Sequence, residues 1–393
     1  MQVQETRKLP IELFELAIDC IDDEKTLRST SVVCKAWLPR SRFNLFHTIE
    51  LNLPRHLDSL LDLLASTPDI VPIIKDLSIS ENSIFALFSP AMSIAARFPL
   101  SLSSYPLVQL RRLTMHHQLW LPTRYSPDYL LALSQFTSIT FLDLFDVSFT
   151  TVADFSIVLR ALAHLESIHA AHLDCQRQLD PETSAAIGYE LPFLRTLKIV
   201  ADYPTSPIDW LLAYNKFPSL RDVDISYELS VNDPHQALGT LWASAGSTLE
   251  KLTLSISKRS TGSRFPSEVI EKQLDMSSCT ALRTLRFDCR HEREVSPDWT
   301  WLVWLLKQLP PASPGHALRS IVLAFQHSSH ALASLHTFAG ELDDAISEAP
   351  WAETLTELVF EFDYRLPPDE DEDEQALVEK FPELRSRNRL RVR

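Results

Sequence analysis

One apolar phrase recurs along most of the chain. It consists of an apolar residue, two variable positions, an apolar residue, one variable position and a further apolar residue. It reads IKDLSI from Ile74, LRRLTM from Leu110, ITFLDL from Ile139, LESIHA from Leu165 and LRTLKI from Leu194. LRDVDI from Leu220, LEKLTL from Leu249, LRTLRF from Leu282, LRSIVL from Leu318 and LTELVF from Leu355 complete the set. The second half of each phrase alternates as a half-buried strand does. An earlier strand, FHTIELNL near residues 46–53, opens the series. Helical spacing lies between the phrases, at 153–162, 209–214, 235–243, 297–309 and 331–346. Strand, crossover helix and strand predict a parallel sheet with right-handed connections. Pro72, Pro192 and Pro218 each stand two residues before a phrase, where proline stops the preceding helix.

Successive phrases start 26 to 37 residues apart, and a fixed phrase at a nearly fixed period predicts a solenoid. A final, degenerate copy is expected in FPELRSRNRLRV, with Leu384 in the first apolar position and Arg387 and Arg389 where inward residues would fall. A charged last strand suits an exposed sheet edge, and a frayed basic tail is the alternative. The pattern resembles leucine-rich repeats, with several periods longer than that family's usual range of roughly 20–29 residues. The fold class expected is therefore α/β: an irregular leucine-rich-repeat-like βα solenoid with a parallel sheet. A closed barrel is disfavoured, because barrel strands read as continuous apolar runs, whereas LRDVDI and LEKLTL carry charges between their leucines.

The N-terminal stretch LPIELFELAIDCI, Leu9 to Ile21, has a different pattern. Glu12, Glu15 and Asp19 share one narrow helical stripe, and the rest of the cylinder is apolar. Two apolar faces result: Leu9, Leu13, Leu16, Ala17 and Cys20 on one, Phe14, Ile18 and Ile21 on the other. Asp22 or Asp23 can cap a second helix over 26–34, and a third follows over 35–42 with Trp37 inside it. A three-helix unit of this size rarely buries enough surface to stand alone, so one face of the first helix is expected to need another protein.

The spacing of Leu9, Pro10, Glu12, Leu13, Ile21, Val33, Cys34 and Trp37 resembles the F-box, with Phe46 leading into the first strand. A short three-helix F-box followed by such repeats looks like the substrate receptors of SCF-type ubiquitin ligases. The resemblance implies docking on a Skp-type adaptor, and through it a cullin, by Leu9, Pro10, Leu13, Ile18, Ile21, Val33, Cys34 and Trp37. The sequence does not separate those that touch the partner from those that fill the domain's own core. It implies no catalysis by this chain, a target protein held on the repeats, and ubiquitin-dependent degradation of that target. A non-ligase scaffold on the same adaptor is the alternative function, and a simple cap on the solenoid is the structural one. The boundaries expected are a tail at 1–8, the three-helix domain at 9–48, the solenoid at 49–366, and an acidic loop with the last repeat or tail at 367–393.

Composition narrows the chemistry. A formal charge of −15 argues against nucleic acid. Five scattered cysteines form no disulfide framework, which points to a cytoplasmic or nuclear compartment. The longest uncharged apolar run, at 299–306, is too short for a bilayer. Six glycines, with no GxGxxG and no GxxxxGK[ST], leave little for a nucleotide cradle. No cofactor, metal or catalytic residue is assigned. His169 and His172 are expected on opposite faces of a strand, which opposes joint metal binding. The tryptophans Trp299, Trp301 and Trp304 read as a packed crossover helix, and the carboxylate run at 369–374 as a solvated loop. In a solenoid the alternating strand residues line the surface that binds partners. The candidates there are Arg112, His116, Phe141, Asp143, Phe145, Lys198, Asp224, Lys251 and Arg286, with the two phenylalanines as anchors.

Overall fold

The computed structural model describes residues 10–81, 93–177, 181–201, 207–229, 237–258, 274–288, 300–311, 318–326, 329–363, 379–387 and 389–392. Every one of the ten phrases becomes a strand that begins at its third residue. These are β2 (Asp76–Ser80), β3 (Arg112–Trp120), β4 (Phe141–Phe149), β5 (Ser167–Ala171) and β7 (Thr196–Ala201). Then come β8 (Asp222–Leu229), β9 (Lys251–Lys258), β10 (Thr284–Asp288), β11 (Ser320–Gln326) and β12 (Glu357–Asp363). β1 (Thr48–Leu51) precedes them, and β6 (Asp174–Cys175) and β13 (Leu390–Val392) are short additions.

The reason for the common start is a repeated hydrogen bond. The carbonyl of the phrase's second residue accepts the amides of the second and third residues of the next phrase. Lys75 serves Arg111 and Arg112, Arg221 serves Glu250 and Lys251, and Arg319 serves Thr356 and Glu357, all at 2.7–3.1 Å. His47 does the same for Lys75 and Asp76. The apolar positions then turn inward: Leu77 and Ile79, Leu113 and Met115, Leu197 and Ile199, Leu285 and Phe287 are buried. Their alternating neighbours face out.

Two compact units result: Met1–Val147 with Ile157–His164, and Ser148–Ser156 with Leu165–Arg393. In the first, β1 to β4 follow sequence order, and β1, β2 and β3 pair in parallel. In the second, β5 and β7 to β13 do the same, and β6 lies beside the end of β4 at Ser148 and Phe149. The fold is thus a leucine-rich-repeat-like βα solenoid. Among the described residues β13 pairs only with β12, which leaves an open edge and excludes a closed barrel. Crossover helices match the expected spacings at Val152–Ala161, Pro207–Tyr214, Ala237–Ala245, Thr300–Gln308 and Ser329–Ser347. Trp299 and the run at 369–374 lie outside the described residues, as does the side chain of Trp301.

At the N-terminus stand α1 (Ile11–Asp19), α2 (Glu24–Ser31) and α3 (Leu38–Phe46). Asp23 caps α2, accepting the Thr26 amide at 2.8 Å and its hydroxyl at 2.7 Å. The third helix starts later than the spacing predicts. Pro39 occupies its first turn, where proline is favoured, so Trp37 becomes the residue before the helix.

At the C-terminus, Phe381 and Leu384 are buried and a short helix, Pro382–Ser386, is seated on Asp343, which accepts the amides of Glu383 and Leu384. The inserted turn delays the strand to Leu390. Arg387 and Arg389 are therefore not inward strand positions: Arg387 is exposed, and Arg389 donates to the carbonyls of Ala352 and Glu353.

One buried carboxylate in the first unit has a consequence for pH. Glu81, just past β2, accepts the Ser93 hydroxyl and the Ile94 amide, both at 2.8 Å, and so caps the helix Ile94–Leu102 from a distance. Its second oxygen has no partner, and burial pushes its pKa up. A raised folded-state pKa means that stability is fully present below the ordinary carboxylate value and is lost as pH rises through the folded one. Glu81→Gln keeps an acceptor for the cap and removes the buried charge. The expected result is a gain over wild type at pH 8 of about 1–3 kcal/mol, shrinking towards pH 4, read by urea unfolding across pH. Equal gains at both pH values would contradict a buried ionised carboxylate.

Candidate interaction surfaces

The N-terminal helices separate the two faces of α1. Phe14 packs on Trp37 with ring centroids 5.5 Å apart, and Ile18 is 2% exposed. Asn44 donates to the Ile18 carbonyl at 3.2 Å. The Arg40 guanidinium and then the Asn44 amide hold Asp19 below the usual carboxylate range. Phe14 and Ile18 therefore belong to the domain's own core, with Ile21 and Trp37 half-buried beside them. The other face is uncovered: Leu13 is 50% and Leu16 60% exposed, and Ala17 and Cys20 are exposed as well. Beyond α2, Val32 is 83% and Val33 60% exposed, next to an exposed Cys34. Pro10 is exposed, and Leu9 lies outside the described residues.

This surface is tied to the first repeat. The Phe43 ring is approached by two cations, Arg40 at 5.1 Å and Lys75 at 4.9 Å from its centroid, and stacks on His47 at 5.3 Å. The His47 carbonyl in turn receives the amides that start β2. The helices and the opening strands are thus fixed to one another inside the first unit.

On the outward face of the second unit, the cations expected to meet a partner, Lys198, Lys251 and Arg286, are already matched, as is Arg391. Lys198 lies 3.0 Å from Asp224, Lys251 3.3 Å from Asp222, Arg286 2.7 Å from Glu361 and Arg391 3.2 Å from Glu357. Exposed pairs of this kind add little stability, but they neutralise these four cations.

The outward face of the first unit is built differently. Arg112 stands over the Phe141 ring at 3.8 Å and 4.0 Å from Asp76. His116 and His117 both approach the Phe145 ring, at 6.0 and 5.6 Å. His117 Nδ1 and Asp146 Oδ2 are 2.8 Å apart. Asp143, midway between the phenylalanines, has neither hydrogen bond nor ion pair among the described residues.

Sequence reasoning missed how these residues come together. His117, Asp146 and His172 have φ of 52°, 53° and 54°, the left-handed region. Each absorbs one extra position, as a bulge does. In β4 the buried residues switch from Leu142 and Leu144 to Val147 and Phe149, so Phe145 and Asp146 both face out. In β3, His116 and His117 do the same. After β5 the buried set runs Ile168, Ala170, Leu173, which corrects the expectation for His169 and His172: both lie on the outward side. The signal was present in LDLFDVSF, where the apolar alternation changes phase after two consecutive outward residues. Among the described residues no group of three or more His, Cys, Asp and Glu is placed to hold a metal. The thiols of Cys175 and Cys279 are pushed up to about 12 by burial, so neither is a ready nucleophile. No helix among the described residues is long and apolar enough to cross a membrane.

The sequence matches no protein-family model and no curated protein. Two solved structures are similar in backbone. A structural-genomics target protein from Bacteroides fragilis shares 12% identity over 86% of this chain and 82% of its own, at a TM-score of 0.38. An internalin from Listeria monocytogenes shares 11% over 92% of this chain and 95% of its own, at 0.28. At such scores the superpositions carry no argument, and the architecture rests on the strand pairing given above.

The left-handed backbone at Asp146 is testable. A left-handed L-residue costs roughly 1–2 kcal/mol, least for Asp and Asn and most for β-branched residues. Asp146→Val is therefore expected to lower unfolding stability by about that amount relative to Asp146→Gly, which removes the same His117 partner. Equal stabilities in urea titrations would mean the bulge is not held.

Proposed function

We propose that this protein is a substrate receptor of an SCF-type ubiquitin ligase: the N-terminal helices dock on a Skp-type adaptor, and the solenoid holds a target protein. The observation that carries the reading is the uncovered face of α1. Leu13, Leu16, Val32 and Val33 are apolar and open to solvent, whereas Phe14 and Ile18 already supply the small domain's core. Burying such side chains stabilises a complex by roughly 1.5–3 kcal/mol each before association costs. A cap whose only task was to seal the solenoid would need a polar outer surface there. The resemblance of Pro10, Glu12, Leu13, Val33, Cys34 and Trp37 to the F-box supplies the identity of the partner.

The role is proximity. A target on the strands and an adaptor on the helices are held at a fixed separation by the first unit, where Phe43, Lys75 and His47 join the two. Target lysines are thereby concentrated near a ubiquitin-charged enzyme carried by other subunits. The chain makes and breaks no bond.

Co-purification from cells tests this reading. Adaptor and cullin together support it, the adaptor without a cullin makes the protein a non-ligase scaffold, and neither overturns it. Leu13→Asp and Val33→Asp, each at an exposed position, are expected to weaken adaptor capture about tenfold or more while leaving the melting temperature within a degree or two. Ile18→Asp is expected instead to melt the three helices, because it buries an unpaired charge. Capture unchanged by Leu13→Asp and Val33→Asp would remove the docking face.

A further inference from the structure

The two units differ in how the cations on their outward faces are matched. In the second, four outward cations each meet a carboxylate. In the first, the outward positions of β1 to β4 hold the carboxylates of Glu50, Asp76, Asp143 and Asp146, and Arg112 is the lone lysine or arginine among them. With the histidines neutral, four carboxylates against one guanidinium leave three negative charges unmatched. Asp143 is the sharpest case, a carboxylate with no partner among the described residues, set between Phe141 and Phe145 at the roughly 7 Å spacing of alternate strand residues. Beside it the bulges turn two further residues outward, His117 and Asp146, and Phe145 remains 39% exposed.

The geometry points to this face of the first unit as the target-recognition surface, and to a lysine- or arginine-bearing segment of the target as its occupant. This rests on the reading of the sheet as the target-binding surface. One cation of this type is already bound within the chain: Arg112 on β3 lies over Phe141 of β4 at 3.8 Å, with Asp76 of β2 at 4.0 Å, so a phenyl ring and a carboxylate on the two flanking strands do hold a guanidinium here. Phe145 and Asp143, two residues apart on β4, offer a phenyl ring and a carboxylate of the same chemistry to a second cation from outside. The His117–Asp146 contact keeps Asp146 at the rim, and the left-handed backbone that places both residues is one that only glycine adopts freely. An acidic or phosphorylated segment would meet repulsion from Asp143 and Asp146.

The test uses the full chain and three fluorescent twelve-residue peptides with one Gly/Ser/Leu background. Their central charged positions are Arg/Lys, Gln or Glu, and binding is read by anisotropy at low ionic strength. The cationic peptide is expected to bind about tenfold more tightly than the neutral one, the yield of one exposed ion pair plus one cation–π contact, and the anionic one more weakly still. Asp143→Asn with Asp146→Asn should abolish that preference; asparagine tolerates the left-handed backbone, so the bulge is kept. Asp222→Asn with Asp224→Asn, which removes the same charge from the second unit, should leave the preference intact. Three results would overturn the proposal: the anionic peptide binding best, no peptide binding, or equal losses in the two double variants, which would trace affinity to net charge alone. Adaptor capture by the N-terminal helices is measured on the same variants. It is expected to be unchanged, so failure of this site and failure of the docking reading are separate outcomes.

Discussion

The strand starts depend on one shared acceptor: a backbone carbonyl at the second position of a phrase, such as that of Lys75, Arg221 or Arg319, receives two amides from the next. It sets where each strand begins, and so which residues turn inward. Because each repeat presents its leucines only to its neighbours, no repeat can bury its apolar face alone, and the stack is stable as a column. Side chains reinforce the same joint where they reach it. The hydroxyls of Thr248 and Thr354 donate to the carbonyls of Leu220 and Leu318, one phrase back. A column of this kind tolerates irregular periods, since what lies between two phrases may lengthen without moving the carbonyl that joins them.

That division explains what the sequence revealed. The phrase is written in every repeat, so each strand start could be read directly, and the crossover helices followed from their spacing. The local departures were harder. Trp37 was read inside a helix because its apolar spacing fits one, whereas Pro39 favours a later start. Arg387 and Arg389 were placed by counting from Leu384, and a single inserted helical turn cancels that count. The bulges at His117, Asp146 and His172 were missed because alternation was carried through them. A chain with six glycines has to place other residues at left-handed positions, so such kinks do not announce themselves by composition. The ion pairs among Lys198, Asp224, Lys251 and Asp222 were also out of reach. Each charge was visible, but which strand lay beside which, and in what register, came only with the ladder.

The ladder also decides what the charges are for. In a parallel stack, residues in register are neighbours, so opposite signs on adjacent strands cancel, as Asp222 and Lys251 do. A face that cancels its own charge gives up electrostatic selectivity; one that does not keeps it. Asp143 stands outside any such pair among the described residues, on the body that also carries the N-terminal helices.

The N-terminal end poses the remaining physical problem, because a stacked column must be closed there. Closing it requires tying the helices to the first strands, and Phe43 of α3 does so through its contacts with His47 and Lys75. It does not require α1 to be apolar on its far side. Of the three acids on that helix, Asp19 is drawn back to Arg40 and Asn44, which leaves Glu12 and Glu15 to wet a surface that also exposes Leu13 and Leu16. A soluble protein scatters single exposed leucines without consequence. Two of them together on one helix, with Val32 and Val33 also exposed after α2, make instead the kind of surface that marks an interaction site. Sealing the solenoid thus accounts for α3 and for the inner face of α1, and leaves the apolar outer face without a role in the chain's own packing among the described residues.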